Sequence, residues 1–207
     1  MRSGYVGEIG APRPPSRWRP VGARTRHHGR MADIDATTER APLRVAYTVE
    51  QCWHPSPGGT AIAALRIARE LEARPDDLEL HLVAGRHPNV PAPEFRPVGS
   101  VAMLPLARPV LYEAWNRLNW PKVESVVGEI DVAHATGLVP CATSAPLVVT
   151  VHDIAFIHDP DKFTRHGART MRRSLDVIGR RADRVLCSSS ATMRDCEAVG
   201  LDPAKLR

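Results

Sequence analysis

The run Leu147–Asp153, Leu-Val-Val-Thr-Val-His-Asp, constrains the fold more than any other part of this sequence. Its first five residues are apolar or β-branched and do not alternate with polar ones. This pattern is typical of a strand that is buried on both faces of a parallel sheet. His152 and Asp153 follow directly, and open α/β sheets bind ligands at the carboxyl ends of their central strands. The run therefore predicts an interior strand that presents an imidazole and a carboxylate to a ligand site.

Other segments alternate between strand and helix patterns around this run. Further strands are predicted over residues 43–49, 78–84, 101–104, 132–135 and 184–187, and loops over 50–59, 86–99 and 152–161. Helices are predicted over 60–72, 110–118, 123–130 and 163–181, and Pro121 separates the second from the third. A last helix is predicted to begin after a cap at Ser188 or Ser189, to extend to Ala198 and to be terminated by Gly200. Such alternation predicts an α/β domain with a doubly wound parallel sheet, which is a Rossmann-like architecture.

The basic charge of the protein is concentrated at its N-terminus. The first 30 residues contain seven arginines and one acid, Glu8, so that segment has a charge of +6. Because the net charge of the protein is +5, the remaining residues together have a charge of −1. Residues 1–41 are rich in Arg, Pro and Gly without helical or strand periodicity, which predicts a disordered tail before a domain over residues 42–207. Translation starting at Met31 rather than Met1 is an alternative. The domain's charge gives no electrostatic case for binding nucleic acid.

The cysteine pattern and the hydropathy bear on the cellular compartment. The four cysteines include no C-x-x-C pair, so neither a disulfide framework nor a zinc ribbon is indicated, and a reduced, cytoplasmic protein is expected. No apolar run approaches the roughly 18 residues of a transmembrane helix. The N-terminus has charge without an apolar core, which does not fit a secretory signal.

Candidate ligand-binding residues follow three of the predicted strands. Gly58 and Gly59 open the first helix, where free N–H groups and the helix dipole favour a phosphate; a plain turn is the alternative. His152 and Asp153 end the central strand, where they could supply a general base and its orienter or bind a ligand through hydrogen bonds. A histidine that only satisfies backbone groups at the strand end is the alternative. As adjacent residues they point in different directions, so they are not expected to form a dyad with each other. His134 and Thr136 end the predicted neighbouring strand and are expected to line the same crevice.

Three other motifs have simpler explanations. Cys52-Trp53-His54 lacks the partners of a metal site or an activated thiolate. The three serines 188–190 fit a helix cap better than a catalytic serine, because no G-x-S-x-G surrounds them. The arginines of helix 163–181 are most simply a solvated face, with contact to a membrane surface or to an acidic acceptor as the alternative; they are Arg169, Arg172, Arg173, Arg180 and Arg181.

In order along the chain, several segments resemble the N-terminal half of family-4 retaining glycosyltransferases. They are the Pro-Ser-Pro-Gly-Gly-Thr loop with its Ile-Ala-x-Glu-Leu helix, Asp131–Thr136, the Pro-Leu-Val-Val-Thr-Val-His-Asp run that ends at Asp153, and Ala182–Ser190. The similarity spans about residues 43–207. No single motif is diagnostic, but the ordered set is fairly specific.

The resemblance implies a fold, an activity and roles for individual residues. The family has the two-domain GT-B fold and transfers a sugar from a nucleotide sugar with retention, without a metal or another cofactor. His152 would then contact the donor sugar near the reaction centre. Gly58 and Gly59, with Thr60 beside them, would approach the donor diphosphate or the acceptor. Asp153, His134 and Thr136 would line the acceptor side.

The sequence therefore predicts the acceptor-side domain of a cytoplasmic, hexosyltransferase-type glycosyltransferase, whose partners are a nucleotide sugar, a glycosyl acceptor and a C-terminal nucleotide-binding domain. That second domain is not among these 207 residues, so the chain is expected to be inactive alone. Residues 202–207 read as a turn that leads into another strand, which suggests a fragment. A non-catalytic α/β ligand-binding or interaction domain is the alternative.

Overall fold

The computed structural model describes residues 41–207, in which a six-stranded sheet is the central element. The predicted tail and the alternative start at Met31 therefore lie outside the described residues, apart from Ala41. The strands are β1 (Leu43–Thr48), β2 (Leu78–Ala84), β3 (Val101–Met103), β4 (Val132–Ala135), β5 (Leu147–Val151) and β6 (Arg184–Cys187).

Six α-helices connect these strands, together with short 3₁₀ turns. The helices are α1 (Gly58–Glu72), α2 (Arg108–Leu118), α3 (Glu124–Val127), α4 (Ala155–His158), α5 (Arg165–Arg181) and α6 (Ser190–Ala198). The turns are Glu50–Trp53, Pro93–Phe95, Pro160–Lys162 and Pro203–Lys205. Thr164 and Ser189 cap α5 and α6 by accepting hydrogen bonds from Gly167 N and Thr192 N.

The sheet is parallel throughout, in the order β3-β2-β1-β4-β5-β6. β5 pairs with β4 on one side and with β6 on the other, which confirms its prediction as an interior strand. The sheet consists of two halves, β3-β2-β1 and β4-β5-β6, that meet between β1 and β4. This is the strand order of a doubly wound, Rossmann-like α/β domain, as predicted.

Helices cover both faces of the sheet. Neighbouring side chains of a strand point to opposite faces. Ala46 belongs to the larger hydrophobic cluster, with Trp115 and Ile178, whereas the next residue, Tyr47, belongs to the smaller cluster with α1 residues such as Ala64. The two clusters are therefore the two sides of one sheet, and α1 covers the opposite face from α2 and α5.

Several predicted segments differ from the structure, three of them near the candidate site or in the type of element; the bounds of β1, β3, α2 and α5 differ by only one or two residues. The helix predicted over 123–130 is a single turn, α3, because Gly128 with φ 78° ends it. The loop predicted over 152–161 contains α4 and a 3₁₀ turn, since Phe156 is buried and draws the segment onto the core. Helix α1 begins two residues earlier than predicted, at Gly58.

The arginines of α5 do not form one solvated face. Arg169, Arg172 and Arg180 are exposed as predicted. Arg173 instead donates to Glu113 Oε2 of α2 at 3.2 Å. Arg181 is half-buried and donates to the carbonyls of Trp115 and Cys141. The prediction is wrong for these two arginines, which attach α5 to α2 and to the chain after β4.

The end of the described chain pairs with β6. After the turn Pro203–Lys205, Leu206 forms a parallel bridge with Val185, and Arg207 N donates to Val185 O at 2.9 Å. This matches the turn and strand approach predicted over 202–207. Within residues 41–207, no helix combines the length and the apolar character needed to cross a bilayer.

Candidate functional site

A cavity of about 420 Å³ lies at the carboxyl ends of β1, β4 and β5. β1 pairs with β2 on one side and with β4 on the other, so the winding of the sheet reverses between β1 and β4. Doubly wound sheets bind their ligands at this kind of switch point. The topology and the cavity therefore identify the same edge of the sheet as the candidate site.

The polar wall of the cavity comes from residues that follow two strands. Thr48, Glu50 and Gln51 come from the end of β1, whereas His152 and Asp153 come from the end of β5. Of the predicted site residues, His152, Asp153 and Thr60 line the cavity. Gly58, Gly59, His134 and Thr136 lie next to it in the chain or in the sheet but are not part of its wall.

The orientation of His152 is fixed by the neighbouring strand end. Its Nε2 lies 3.1 Å from the carbonyl oxygen of Thr136. A carbonyl oxygen can only accept, so Nε2 carries the proton and donates. In the tautomer that carries its proton on Nε2, the other ring nitrogen, Nδ1, is a hydrogen-bond acceptor. Ser188 and Thr192 donate their hydroxyls to the carbonyl oxygen of His152 and so hold its backbone as well.

Thr136 connects the ends of β1 and β4 and has no free surface for a ligand. It is only 2% exposed. Its Oγ1 donates to Thr48 O at 2.6 Å, and its N–H donates to Thr48 Oγ1 at 3.1 Å. Thr136 therefore supports the site from behind: it joins two strand ends and offers its carbonyl oxygen to His152.

His134 lies inside the sheet rather than on the cavity wall. Its Nε2 is 2.8 Å from Thr150 Oγ1, and its ring packs edge-on against Tyr47 with 5.0 Å between ring centroids. Burial, and secondly the neighbouring His152, lowers the pKa of His134 to about 4. His134 is therefore neutral near pH 7.

Asp153 is exposed, and its Oδ1 accepts from Ala155 N at 3.0 Å. His152 and Asp153 thus bond to different partners, as expected of adjacent residues. The carboxylate of Asp153 begins the turn into α4, and the residue lines the cavity. It is one of two acidic side chains in the wall.

Glu50 is the second acidic side chain, and the sequence analysis did not single it out. It is 2% exposed, and its Oε2 accepts from Gly85 N at 2.6 Å. Its Oε1 lies 2.9 Å from His87 Nε2, and the His87 ring stacks on Trp53 with 4.7 Å between centroids. The rule that identified His152, a polar residue directly after a strand, also applies to Glu50, which directly follows the strand predicted over 43–49.

Gly58 and Gly59 form the exposed N-terminus of α1. Gly58 has φ 57°, which an L side chain rarely adopts, and a Cβ at either position would meet no atom within 4 Å. Thr60 Oγ1 donates to Pro57 O at 3.0 Å and lines the cavity. The first turn of α1 thus lies at the rim of the cavity with its backbone accessible.

The opposite wall is apolar, and it is built from helices that are far apart in the sequence. Tyr112 and Trp115 come from α2, Phe156 from α4, and Met171 from α5, with Phe163 before it. Phe156 and Phe163 pack edge-to-face with 6.3 Å between centroids. Helical periodicity shows which residues share a face but not what that face meets, so this wall could not be predicted.

The cysteine motif and the serine motif have the following surroundings in the structure. Cys52 is 2% exposed, and burial together with the Glu50 carboxylate raises the pKa of its thiol to about 11, which does not fit an activated thiolate. Trp53 Nε1 donates to Asn89 O. Ser189 caps α6. Among residues 41–207, no group of three His, Cys, Asp or Glu side chains is placed to hold a metal ion.

Comparisons with known proteins complete the description of the site. The family model described as Glycosyltransferase Family 4 matches residues 57–207. No curated protein sequence matches the chain. Among solved structures, Anabaena HepE in complex with UDP and glucose is similar at 16% identity and a TM-score of 0.45, with 80% of this chain and 43% of HepE covered. A putative UDP-N-acetylglucosamine 2-epimerase from Listeria monocytogenes is similar at 16% identity and a TM-score of 0.48, with 80% and 44% covered. The chain spans less than half the length of these two structures.

Proposed function

This chain belongs to glycosyltransferase family 4, and we propose that it is the N-terminal, acceptor-side domain of a cytoplasmic enzyme that transfers a hexosyl group from a nucleotide sugar to an acceptor with retention of configuration. The observation that carries the proposal is the position of His152. It stands at the carboxyl end of an interior strand, beside the switch point of the sheet, and lines the cavity there.

His152 has the geometry to orient a donor sugar. Because Nε2 donates to Thr136 O, the ring cannot rotate freely, and Nδ1 is left to accept a hydrogen bond from a sugar hydroxyl. When the bond between the anomeric carbon and the diphosphate breaks, the sugar ring gains positive charge. A hydrogen-bond acceptor at a fixed position favours that state, and contacts of this kind accelerate a reaction when they strengthen in the transition state.

The N-terminus of α1 is suited to the negative end of the reaction. The departing diphosphate gains negative charge, and the first-turn N–H groups at Gly58, Gly59 and Thr60 are exposed at the rim of the cavity. Backbone N–H groups and the helix dipole stabilise an anion there. Glycines at both leading positions let a phosphate or an acceptor approach the backbone closely.

We assign Asp153 to the acceptor side of the site. Asp153 is exposed at the cavity and can accept a hydrogen bond from an acceptor hydroxyl, which positions that oxygen near His152. Most donor contacts are assigned to a second, C-terminal domain outside these residues. The four cysteines are free, which agrees with a reducing compartment such as the cytoplasm.

The test compares two proteins. One is the 207-residue chain, and the other is the product of the reading frame extended past Arg207. Both are incubated with UDP-, GDP- and ADP-sugars and a panel of glycoside acceptors. We expect transfer, with the anomeric configuration of the donor kept in the product, only from the extended protein. Multiple turnover by the 207-residue chain would overturn the acceptor-domain assignment. An extended protein that binds glycosides but transfers nothing would favour a non-catalytic binding domain.

A further inference from the structure

The cavity has an apolar wall for which the chemistry of sugar transfer has no use. Tyr112, Leu138, Phe163 and Met171 pack on the main core but are only partly buried, and all four line the cavity. Trp115 and Phe156 lie behind them, at 1% and 2% exposure. Large apolar side chains that face an open cavity gain free energy when a ligand removes them from water.

The size and composition of the cavity are those of a small-molecule site. Its volume of about 420 Å³ lies within the range of roughly 300–1,000 Å³ that is usual for ligand pockets. Such pockets are mainly apolar with a few placed polar groups. Here the polar groups are on one side, at the ends of β1 and β5, and the apolar groups are on the other.

The charges in the wall do not fit the donor. The part of the wall formed by residues 41–207 contains two carboxylates, Glu50 and Asp153, and no lysine or arginine. A diphosphate can be stabilised at the rim by the N-terminus of α1, but deeper in the cavity it would lose its hydration without a cation to compensate it, which is costly. These charges argue against an anionic occupant, and the two kinds of wall fit a ligand with a polar end and an apolar end.

We propose that the cavity binds the apolar aglycone of the acceptor, so that the acceptor is a compact glycoside or alcohol with an aromatic or branched hydrocarbon group. This inference rests on the proposed function, because it names the acceptor of the same site. The aglycone packs against Tyr112, Phe163 and Met171. The hydroxyl that receives the sugar then lies at the polar wall, between His152 and Asp153.

Binding to the 207-residue chain tests the inference directly. The probes are 2-naphthyl β-D-glucopyranoside and methyl β-D-glucopyranoside, which share the sugar and differ in the aglycone. One additional methylene group in an apolar pocket changes the preference for a ligand by about 10- to 200-fold. The naphthyl glycoside should therefore bind at least about tenfold more tightly than the methyl glycoside. Equal affinity of the two probes, measured by titration calorimetry, would overturn the inference.

Matched variants locate the binding. Met171→Glu puts a charge in the apolar wall and should abolish the naphthyl preference. Val110→Glu makes the same kind of change at a residue of α2 that is 59% exposed and does not line the cavity, and it should keep the preference. Leu138→Ser, in the loop after β4, is the second variant if Met171→Glu melts early. A preference that persists in a folded Met171→Glu or Leu138→Ser chain would also overturn the inference.

The outcomes separate this inference from the proposed function. In the extended protein, transfer that is equally efficient to both glucosides would sustain the glycosyltransferase and contradict the aglycone site. A naphthyl preference that the wall variants abolish, without transfer from any nucleotide sugar, would sustain the site and contradict the transferase. Transfer that favours the naphthyl glucoside and is lost in Met171→Glu supports both.

Discussion

The imidazole of His152 and the carbonyl of Thr136 are joined by a hydrogen bond of 3.1 Å that crosses from the end of β5 to the end of β4. The bond fixes the tautomer of a side chain that lines the cavity. It also connects β5 indirectly to the end of β1, because Thr136 donates a hydrogen bond to the carbonyl of Thr48. Hydrogen bonds between the ends of β1, β4 and β5 thus hold together the edge of the sheet at the cavity.

His152→Ala in the extended enzyme should lower turnover by roughly 100- to 1,000-fold, the value of one preorganised hydrogen-bonding group in an active site. Folding should change little, because the side chain lies at the cavity and only one partly buried bond is lost. Val149→Ala is the comparison, since it removes fully buried methyl groups and should cost roughly 2 kcal/mol. Turnover and urea unfolding of the two variants distinguish a role of His152 in catalysis from a role in stability. Intact turnover in His152→Ala, or a loss of stability equal to that of Val149→Ala, would make the imidazole structural.

Four of the six strands begin and end at the predicted residues, because buried parallel strands are continuous apolar runs between polar residues and turns. His152 and Asp153 were singled out because they follow a strand, and both line the cavity. The same reasoning did not reveal that Thr136 is enclosed, since its burial depends on Thr48, which is 88 residues away in the sequence. Likewise α4 was missed, because its four residues are too few for a periodic pattern and Phe156 is held by tertiary packing.

The link between Thr48 and Thr136 should contribute measurably to stability. Thr48 is 4% exposed, and its Oγ1 accepts the buried N–H of Thr136. Thr48→Val keeps the shape and leaves that N–H unpaired, which should cost about 1–3 kcal/mol. Thr48→Ser keeps the hydroxyl and is the control. Urea unfolding of both variants measures the difference, and equal stabilities would show that the hydroxyl contributes nothing.

His134 should make the domain less stable in mild acid. Its pKa is about 4 in the folded protein and about 6.5 when unfolded. Between these values the unfolded state binds more protons, so stability falls as the pH decreases from about 6.5 towards 4. The loss is at most about 3 kcal/mol. Unfolding free energies at several pH values should show a smaller decrease for His134→Gln, and identical slopes for both proteins would contradict the assignment.

Thiol reagents should modify Cys187 before the other three cysteines. Cys52, Cys141 and Cys196 are buried, whereas Cys187 is partly exposed at the end of β6. Burial raises the pKa of Cys141 and of Cys196 to about 12, so their thiolate fraction at pH 7.5 is negligible. Peptide mapping after brief iodoacetamide treatment of the native protein gives the order. Labelling of Cys52 at the rate of Cys187 would show that the segment after β1 opens.

The hydrogen bonds of Glu50 should stabilise the fold, although Glu50 also lines the cavity. It accepts from Gly85 N and contacts His87 Nε2, and the two paired side chains are 3% and 10% exposed. Glu50→Ala leaves both partners without their acceptor inside the protein and should cost roughly 3 kcal/mol. Because the His87 contact is lost in either single variant, a double-mutant cycle with His87→Ala should show a coupling of about 0.5–3 kcal/mol. Unfolding measurements on the four proteins give that coupling. Additive effects, combined with altered glycoside binding by Glu50→Ala, would assign the carboxylate to the ligand instead of the fold.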